Sequence, residues 1–513
     1  MSDPFDPDQE LTRPLEGAHE ASAAEGPAGP AVGRDEWVAR HGERRVTRGG
    51  RLGLLEERLH TVPWWAWLTL FLAVVALLPL GFESGYVRRV AFDTVLYMLL
   101  ALGLNVVLGW GGLLDLGYVA FYGIGAYTYA FLASDKFDIH VPTLVVIPLV
   151  AAVGAISGYL VGLPSRRLVG DYLAIVTLFF LQIFGTITLN ADRITFPGQD
   201  TPTDVTGGPN GILQVDPLSF FGHELPVSKD GIFNVAYLYV VLAVFAVVYV
   251  LLRFVNLSRT GRAWRSLRED PLAAELMGMP VNALKLLAFS FGAAVAALTG
   301  VFFASLNASV FPQTFSFALL ITIYTMVILG GVGSQAGVVL GAILISVVLE
   351  LLREPSDSRI LFYAAVLLGL FAMLRLSLRL VAVLGGLAVF GAAVHAIAKG
   401  LDATWVSGVV GEDTSRLAGW ASDWVVVPVD LPNWIASVSY ISLVALVLLL
   451  TLVRGWPRLV LLVPTLYLAA FVWENVMLAK PEPSRYILLG VMLIALMIVR
   501  PSGLLGERRI EIV

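Results

Sequence analysis

The sequence contains no cysteine. That excludes a disulfide framework, a thiolate metal site and a cysteine nucleophile. Charge is scarce as well: Asp, Glu, Lys and Arg together make up 14% of 513 residues. The six histidines are scattered without ligand spacing, so no metal is assigned. No G-x-x-x-x-G-K-[ST] phosphate loop occurs, so the chain cannot hold ATP in that way. The roughly ten-residue alternating segments of a membrane β-barrel are missing. A local nucleophile–base set is missing too, which disfavours a membrane-embedded enzyme.

What remains is largely apolar. The chain is 57% hydrophobic, with a mean hydropathy of +0.80. Apolar runs of about 20 residues recur, each long enough to cross a hydrocarbon core of roughly 30 Å. The expectation is an all-α polytopic membrane protein with about fourteen transmembrane spans. They are placed near 63–81, 88–108, 117–134, 141–163, 172–189, 233–254, 284–306, 315–330, 337–352, 360–375, 380–398, 437–453, 458–474 and 485–499.

Residues 1–58 are rich in Pro, Gly, Ala, Glu and Arg without apolar periodicity, and read as a disordered tail. They are too acidic for a signal-peptide n-region and no A-x-A site follows the first apolar run, so that run is expected to be retained. Alternation from a cytoplasmic start puts this tail on one side with Arg166, Arg167, the Arg253–Arg268 cluster, Arg375, Arg379, Arg454, Arg458 and the 500–509 end. This satisfies the positive-inside bias and makes both termini cytoplasmic. Arg88 and Arg89 fall on the opposite side. Two long segments, 190–232 and 399–436, lie outside; the second carries Trp405, Trp420, Trp424 and Trp434, which suit the headgroup level.

One charged stretch interrupts the apolar pattern: "SRTGRAWRSLREDPLAAELMGMP", residues 258–280. Asp270 suits a helix N-cap, Pro271 the first helical position, and Gly278 the left-handed residue that ends a helix. Leu272, Leu276 and Met279 recur at i, i+4 and i+7, one apolar stripe. A helix this short does not hold alone in water. It rests on the bilayer or docks to a partner, and periodicity leaves both open.

Two glycine-rich breaks interrupt the spans. Asp115 lies in "GGLLDLGY" (111–118), where an unsatisfied carboxylate at membrane depth costs about 2.5–3.5 kcal/mol. It caps the half-helix that follows, or the broken helix lines a substrate path; the two are compatible. "GGVGSQAG" (330–337) reads as a tight turn that lets helices pack closely. Asp171 is expected to cap its span, and Glu350, Arg353 and Glu354 to pair at a helix end. "TGGPNGI" (206–212) is either an outer contact surface or a plain Gly-Pro turn.

The string "GRAWRSLREDPLAAELMGMPVNALKLLAF" (261–289) resembles the coupling-loop motif of ABC importer permeases, and specifically of branched-chain amino acid permeases of the LivM type. Further family-like strings occur in chain order on either side of it: "LNVVLGWGGLLDLGYVAFYGIGAYTYA" (104–130), "GDYLAIVTLFFLQI" (170–183), "TGGPNGI", "MVILGGVGSQAGVVLGA" (326–342) and "RPSGLLG" (500–506). The resemblance implies an ABC importer permease-like helical bundle with broken helices, in the bacterial cytoplasmic (inner) membrane. It implies import of branched-chain, hydrophobic amino acids; alternatives are a urea or short-amide ABC importer permease, or an ion-coupled secondary amino acid transporter. The last would need paired intramembrane carboxylates or inverted repeats, which are not found.

The implied partners are a second homologous permease, two ABC ATPase subunits, a periplasmic or lipid-anchored substrate-binding protein and the lipid bilayer, with no nucleic acid. The chain itself takes no cofactor; ATP and Mg belong to the partner subunits. The resemblance assigns ATPase coupling to Arg262, Arg268, Glu269, Asp270, Pro271, Leu272, Leu276 and Gly278. The broken segment makes Gly112, Asp115, Gly117 and Tyr118 candidates for the translocation path. Thr206, Gly207, Gly208 and Asn210 are candidates for binding-protein contact. Family members run from a permease core (here 59–375, with coupling loop 256–282) directly into the final span (here 484–513). Residues 376–483, an extra transmembrane region with the Trp-rich outer loop, are not explained by the resemblance.

Overall fold

The computed structural model describes residues 63–81, 85–165, 168, 170–195, 202–220, 223–229, 232–374, 376–408, 419, 423–453, 455–478, 481–499 and 503–506. The expected tail (1–58), Arg166, Arg167, Arg375, Trp420, Arg454, Arg500, Arg508 and Arg509 lie outside the described residues. By compactness the chain divides after Phe71, inside its first helix, α1 (Trp64–Gly81). Of the first unit only the opening turns of α1 are described.

The second unit is built from helices α2 (Gly85–Leu104), α3 (Tyr118–Leu132), α4 (Thr143–Ser165), α5 (Asp171–Asn190), α6 (Val235–Leu257), α7 (Arg259–Glu269), α8 (Pro271–Leu276) and α9 (Val281–Asn307). They are followed by α10 (Phe317–Gly330), α11 (Gln335–Leu351), α12 (Pro355–Leu374), α13 (Leu378–Leu401), α14 (Asn433–Leu452), α15 (Trp456–Val472) and α16 (Pro481–Val499). A helix stands at each of the fourteen expected positions, so the chain is an all-α polytopic membrane protein. The count of fourteen spans is not reproduced. Among the described residues nine helices are long and apolar enough to cross a membrane, or ten if one bent pair counts as a span. The reasons are geometric. Helix α3 has 15 residues, about 22 Å at 1.5 Å per residue, short of the hydrocarbon thickness. Helices α11 and α12 are bent by 120° at the short turn before Pro355.

Helix α9 is the centre of the bundle, and small residues let its neighbours approach. A Cβ on Gly125 of α3 would lie 2.0 Å from the Ala297 carbonyl oxygen, and one on Gly158 of α4 2.6 Å from that of Phe289. Helices α10 and α11 form a close hairpin for the same reason: a Cβ on Gly337 would meet the Gly330 oxygen at 2.4 Å. The second glycine-rich break is thus a close-packing turn, as expected. Asp171 is not a cap. Gly170 (φ +59°) holds that position, and Asp171 opens the helix.

Short two-stranded ladders finish the end opposite α7 and α8. Strand β1 (Ala133–Ser134) pairs with β2 (Ile139–His140), and β3 (Ile212–Leu213) with β4 (Ser309–Val310), all antiparallel. After α15, α16 packs beside α10, and the chain returns to the hairpin of α10 and α11: Leu504 N donates to Leu329 O at 2.8 Å and Leu505 N to Gly330 O at 3.0 Å.

Candidate functional site

The charged stretch folds as two helices meeting at Asp270. The Asp270 carboxylate accepts from Leu272 N (2.9 Å) and Ala273 N (3.0 Å), and Pro271 takes the first position, where no donor is needed. Gly278, at φ +79°, closes the far end, with Gly278 N donating to Glu275 O and Met279 N to Ala274 O. Ala274 alone of α8 is buried. Leu272, Leu276 and Met277 are 67%, 80% and 81% exposed, an apolar edge with no cover in this chain. Glu269 and Arg262 are exposed, and Arg262 donates to Leu257 O at 2.9 Å.

Helix α7 anchors this edge to both glycine-rich breaks. After α2 the helix widens into a π turn, Asn105–Trp110, a local irregularity common at functional positions. Arg268 Nη1 donates to Gly109 O at 2.5 Å, and Trp264 stacks on Trp110 with ring centroids 6.2 Å apart. Trp110 Nε1 donates to Gly333 O (3.0 Å), Gly333 N to Asn105 Oδ1 (2.8 Å), and Trp264 Nε1 to Leu284 O (2.9 Å). Gly112 (φ +66°) lies against Arg268, whose Cγ would be 2.9 Å from an added Cβ. Sequence reading singled out Arg268 and Gly112. It missed Asn105, Gly109, Trp110, Trp264 and Gly333, although the "GRAW" and "GWGG" strings carried the two tryptophans.

Asp115 is 1% exposed, and its Oδ1 accepts from Gly117 N at 2.9 Å; Gly117 itself holds the N-cap of α3, which has no side-chain cap, so Asp115 fixes the turn before the helix rather than capping it. The segment is stitched to its surroundings. Leu116 N donates to Thr177 Oγ1, Tyr324 Oη to Asp115 O and Tyr118 Oη to Leu100 O, at 2.9, 2.7 and 2.8 Å. Gly117 has no room for a side chain, since a Cβ would meet Thr177 O at 2.5 Å.

Leu100 also lines a cavity of about 480 Å³ that opens at the other end. Along α2 the lining runs from Arg89 to Leu100, about 16 Å at 1.5 Å per residue. Its mouth holds Arg89, Asp93, Glu350 and Arg485; Tyr97, Tyr122, Phe303 and Leu319 lie among the apolar lining. Arg89 Nε donates to Asp93 Oδ2 (3.2 Å) and Arg89 Nη2 to Asn307 Oδ1 (2.8 Å). Tyr86 Oη donates to Glu350 Oε1 at 2.5 Å, and Arg353 approaches it at 3.5 Å. Glu350 and Arg353 thus pair as expected. Gly112, Asp115, Gly117 and Tyr118 do not line this cavity; they stand between its floor and α7.

Thr206, Gly207, Gly208 and Asn210 form a built turn at the cavity-mouth end. Thr206 Oγ1 donates to Thr188 O at 2.8 Å, Gly207 N to Asp204 Oδ1 at 2.6 Å, and Gln313 Nε2 reaches Pro209 O at 3.2 Å. Asn210 is exposed and Gly208 buried. Nearby, His140 Nδ1 lies 2.7 Å from Asp216 Oδ2, and donors of Asp135, His140 and Asp216 all fall within 4.8 Å of one another. Sequence separation hid that cluster.

Residues 86–374 match the family described as "Branched-chain amino acid transport system / permease component". The chain is 38% identical over 298 residues to the high-affinity branched-chain amino acid transport system permease protein LivM of Salmonella typhimurium, covering 55% of this chain and 65% of that one. It is 38% identical over 302 residues to LivM of Escherichia coli (strain K12), with the same two shares. It is 26% identical over 263 residues to the permease protein LivH of that strain, covering 49% of this chain and 80% of LivH. The match spans just under two thirds of the LivM relatives. No solved structure matches. The matched segment is more than half of the sequence, and the chain belongs to the family of branched-chain amino acid transport system permease components.

Proposed function

We propose that this chain is the transmembrane permease subunit of an ABC importer for branched-chain amino acids. Separate ATPase subunits drive it, a second related permease completes the path, and a binding protein delivers the substrate. The observation that carries the reading is the α7–α8 element: a capped helix presenting Leu272, Leu276 and Met277 outward while Arg268 ties it to the broken helix. Such an apolar edge on a rigid mount suits a groove in a soluble ATPase, and fully buried anchors of this kind dominate interface energies. Helix α2 joins the two ends. Its upper turns line the cavity, and its π turn holds Arg268, so a push on α7 reaches the cavity floor through Gly112–Tyr118.

In this reading α8 faces the cytoplasm of a bacterial inner membrane, both termini are cytoplasmic, and Thr206–Asn210 meets the binding protein outside. Residues 59–375 are the permease core, 376–483 an added region, and 484–513 the final span and cytoplasmic end. The chain supplies no catalysis of its own.

The test is a complex of this chain with its ATPases, second permease and binding protein in proteoliposomes. ATP-dependent leucine uptake is expected. Leu276→Asp should lose the ATPase subunits on purification by tenfold or more, whereas the exposed Glu275→Gln should keep them. Normal coupling in Leu276→Asp would mean that α8 only rests on the bilayer.

A further inference from the structure

The outer cavity has a feature that coupling does not use. Arg485, the fifth residue of α16, lines it, yet among the described residues Arg485 forms no ion pair and its buried Nε has no hydrogen-bond partner. The other mouth charges are engaged: Arg89 with Asp93 and Asn307, Glu350 with Tyr86 and Arg353. An arginine in an apolar helix is expensive unless it faces water or a counter-charge, and such residues mark substrate pathways. A second unused group sits in the lining. Ser346 is 7% exposed, and its Oγ is without a partner.

We propose that this cavity binds the zwitterionic backbone of an α-amino acid, with Arg485 as the carboxylate-binding residue. The proposal rests on the transport reading above and gives it a binding site. A guanidinium presents a planar fork of N–H donors that matches a carboxylate. The ammonium group faces Asp93 and Glu350, whose carboxylates lie in the same mouth. The Arg89–Asp93 pair is an i,i+4 pair with both side chains about two-fifths exposed. Such a pair is held weakly, so an incoming ammonium displaces little. The apolar side chain then points inward to Tyr122, Phe303 and Leu319, away from water. The volume falls in the range of small-molecule sites. Charges of both signs above an apolar floor suit an amino acid better than neutral urea.

Arg485 is contributed from beyond the extra region, outside the segment that matches the family. The core site is therefore incomplete until α16 has come back to it.

The test uses the full complex in nanodiscs without binding protein, with labelled leucine as probe, and in proteoliposomes with binding protein. Leucine should compete for the labelled site, whereas leucinamide and 4-methylpentanoate, each lacking one charge, should compete at least tenfold less well. Arg485→Gln should lower leucine affinity and uptake at least tenfold. Arg485→Lys, which keeps the charge but not the planar fork, should recover part of the loss and shows that the position tolerates replacement. Asp93→Asn should weaken leucine more than 4-methylpentanoate. Subunit co-purification reports assembly in each case. An assembled Arg485→Gln complex that handles leucine within twofold of the unaltered protein overturns the assignment, and so does Arg485→Lys impaired as much as Arg485→Gln. No leucine uptake by the unaltered complex sinks the transport reading instead, and the nanodisc competition still decides whether the cavity takes a zwitterion.

Discussion

Arg359 on α12 and Glu474 in the π turn after α15 form a two-pronged ion pair across 115 residues of sequence. Nε lies 3.0 and 3.1 Å from the two carboxylate oxygens and Nη2 2.9 Å from Oε2, and the side chains are 4% and 2% exposed. Tyr363 Oη donates to the same carboxylate at 3.1 Å, and Phe362 stacks on Trp473 with centroids 4.5 Å apart. Residues beyond the family-matched segment are therefore fastened to its end.

Breaking a buried pair from one side leaves a bare charge, at a cost of about 3–5 kcal/mol, whereas replacing both partners with apolar groups is often neutral. Glu474→Ala is expected to lower the thermal midpoint and the purified yield sharply. Arg359→Met combined with Glu474→Leu should lose less than either single change. Additive losses in detergent-solubilised protein would show that the two residues are not coupled. Deleting 360–484 also takes Glu474 from Arg359, so such a chain should assemble poorly.

A second outcome concerns the anchor of the proposed coupling loop. Gly112→Val meets two obstacles, a backbone at φ +66° and Arg268 Cγ at 2.9 Å from the new Cβ. The backbone term alone is about 1–2 kcal/mol. The α8 edge stays intact, so the ATPases should still co-purify while leucine uptake per ATP falls. Arg268→Met, which cannot donate to Gly109 O, should act alike. Unchanged uptake per ATP in both would remove this contact from the coupling route.

Legibility followed the range of the physics involved. Helix positions, the Asp270 cap and the Gly278 stop depend on neighbours within one turn, and all were readable. The count of spans was not, because a 15-residue apolar run such as α3 and a 120° bend before Pro355 look like ordinary spans in a hydropathy pattern. Contacts between distant segments were also hidden. Nothing near Arg359 announces Glu474, and nothing near Arg485 announces Asp93 or Glu350. Arg89, out of place by the positive-inside rule, is explained by its bonds to Asp93 and Asn307 at the cavity mouth.

The β1–β2 hairpin carries a pH dependence. Asp216 beside His140 holds the imidazole above its ordinary value of 6.5, first through the hydrogen bond and then through charge, with Asp135 and Asp138 adding to it. A raised folded-state value means that protonated His140 stabilises the hairpin. That contribution is fully present below pH 6.5 and is lost as pH rises through the raised value. Protection of the 133–140 amides, corrected for the intrinsic base-catalysed rise in exchange, should fall over that interval and stay flat in His140→Ala. Protection that falls on acidification would reverse the sign and refute the pairing.

The sharpest local test is at Gly278, where backbone strain can be separated from crowding. Its φ is +79°, and nothing lies within 4 Å of where a Cβ would stand. Any penalty on substitution is therefore conformational. Asn tolerates the left-handed region, Ala does so less, and β-branched Val least. Gly278→Asn should behave almost as the unaltered protein. Gly278→Ala should weaken ATPase capture by about 1 kcal/mol, roughly fivefold, and Gly278→Val by more. The spans are remote from this turn, so membrane insertion and the thermal midpoint should hold in all three. Equal ATPase capture by Asn, Ala and Val variants would mean that α8 need not end at Gly278 to engage its partner.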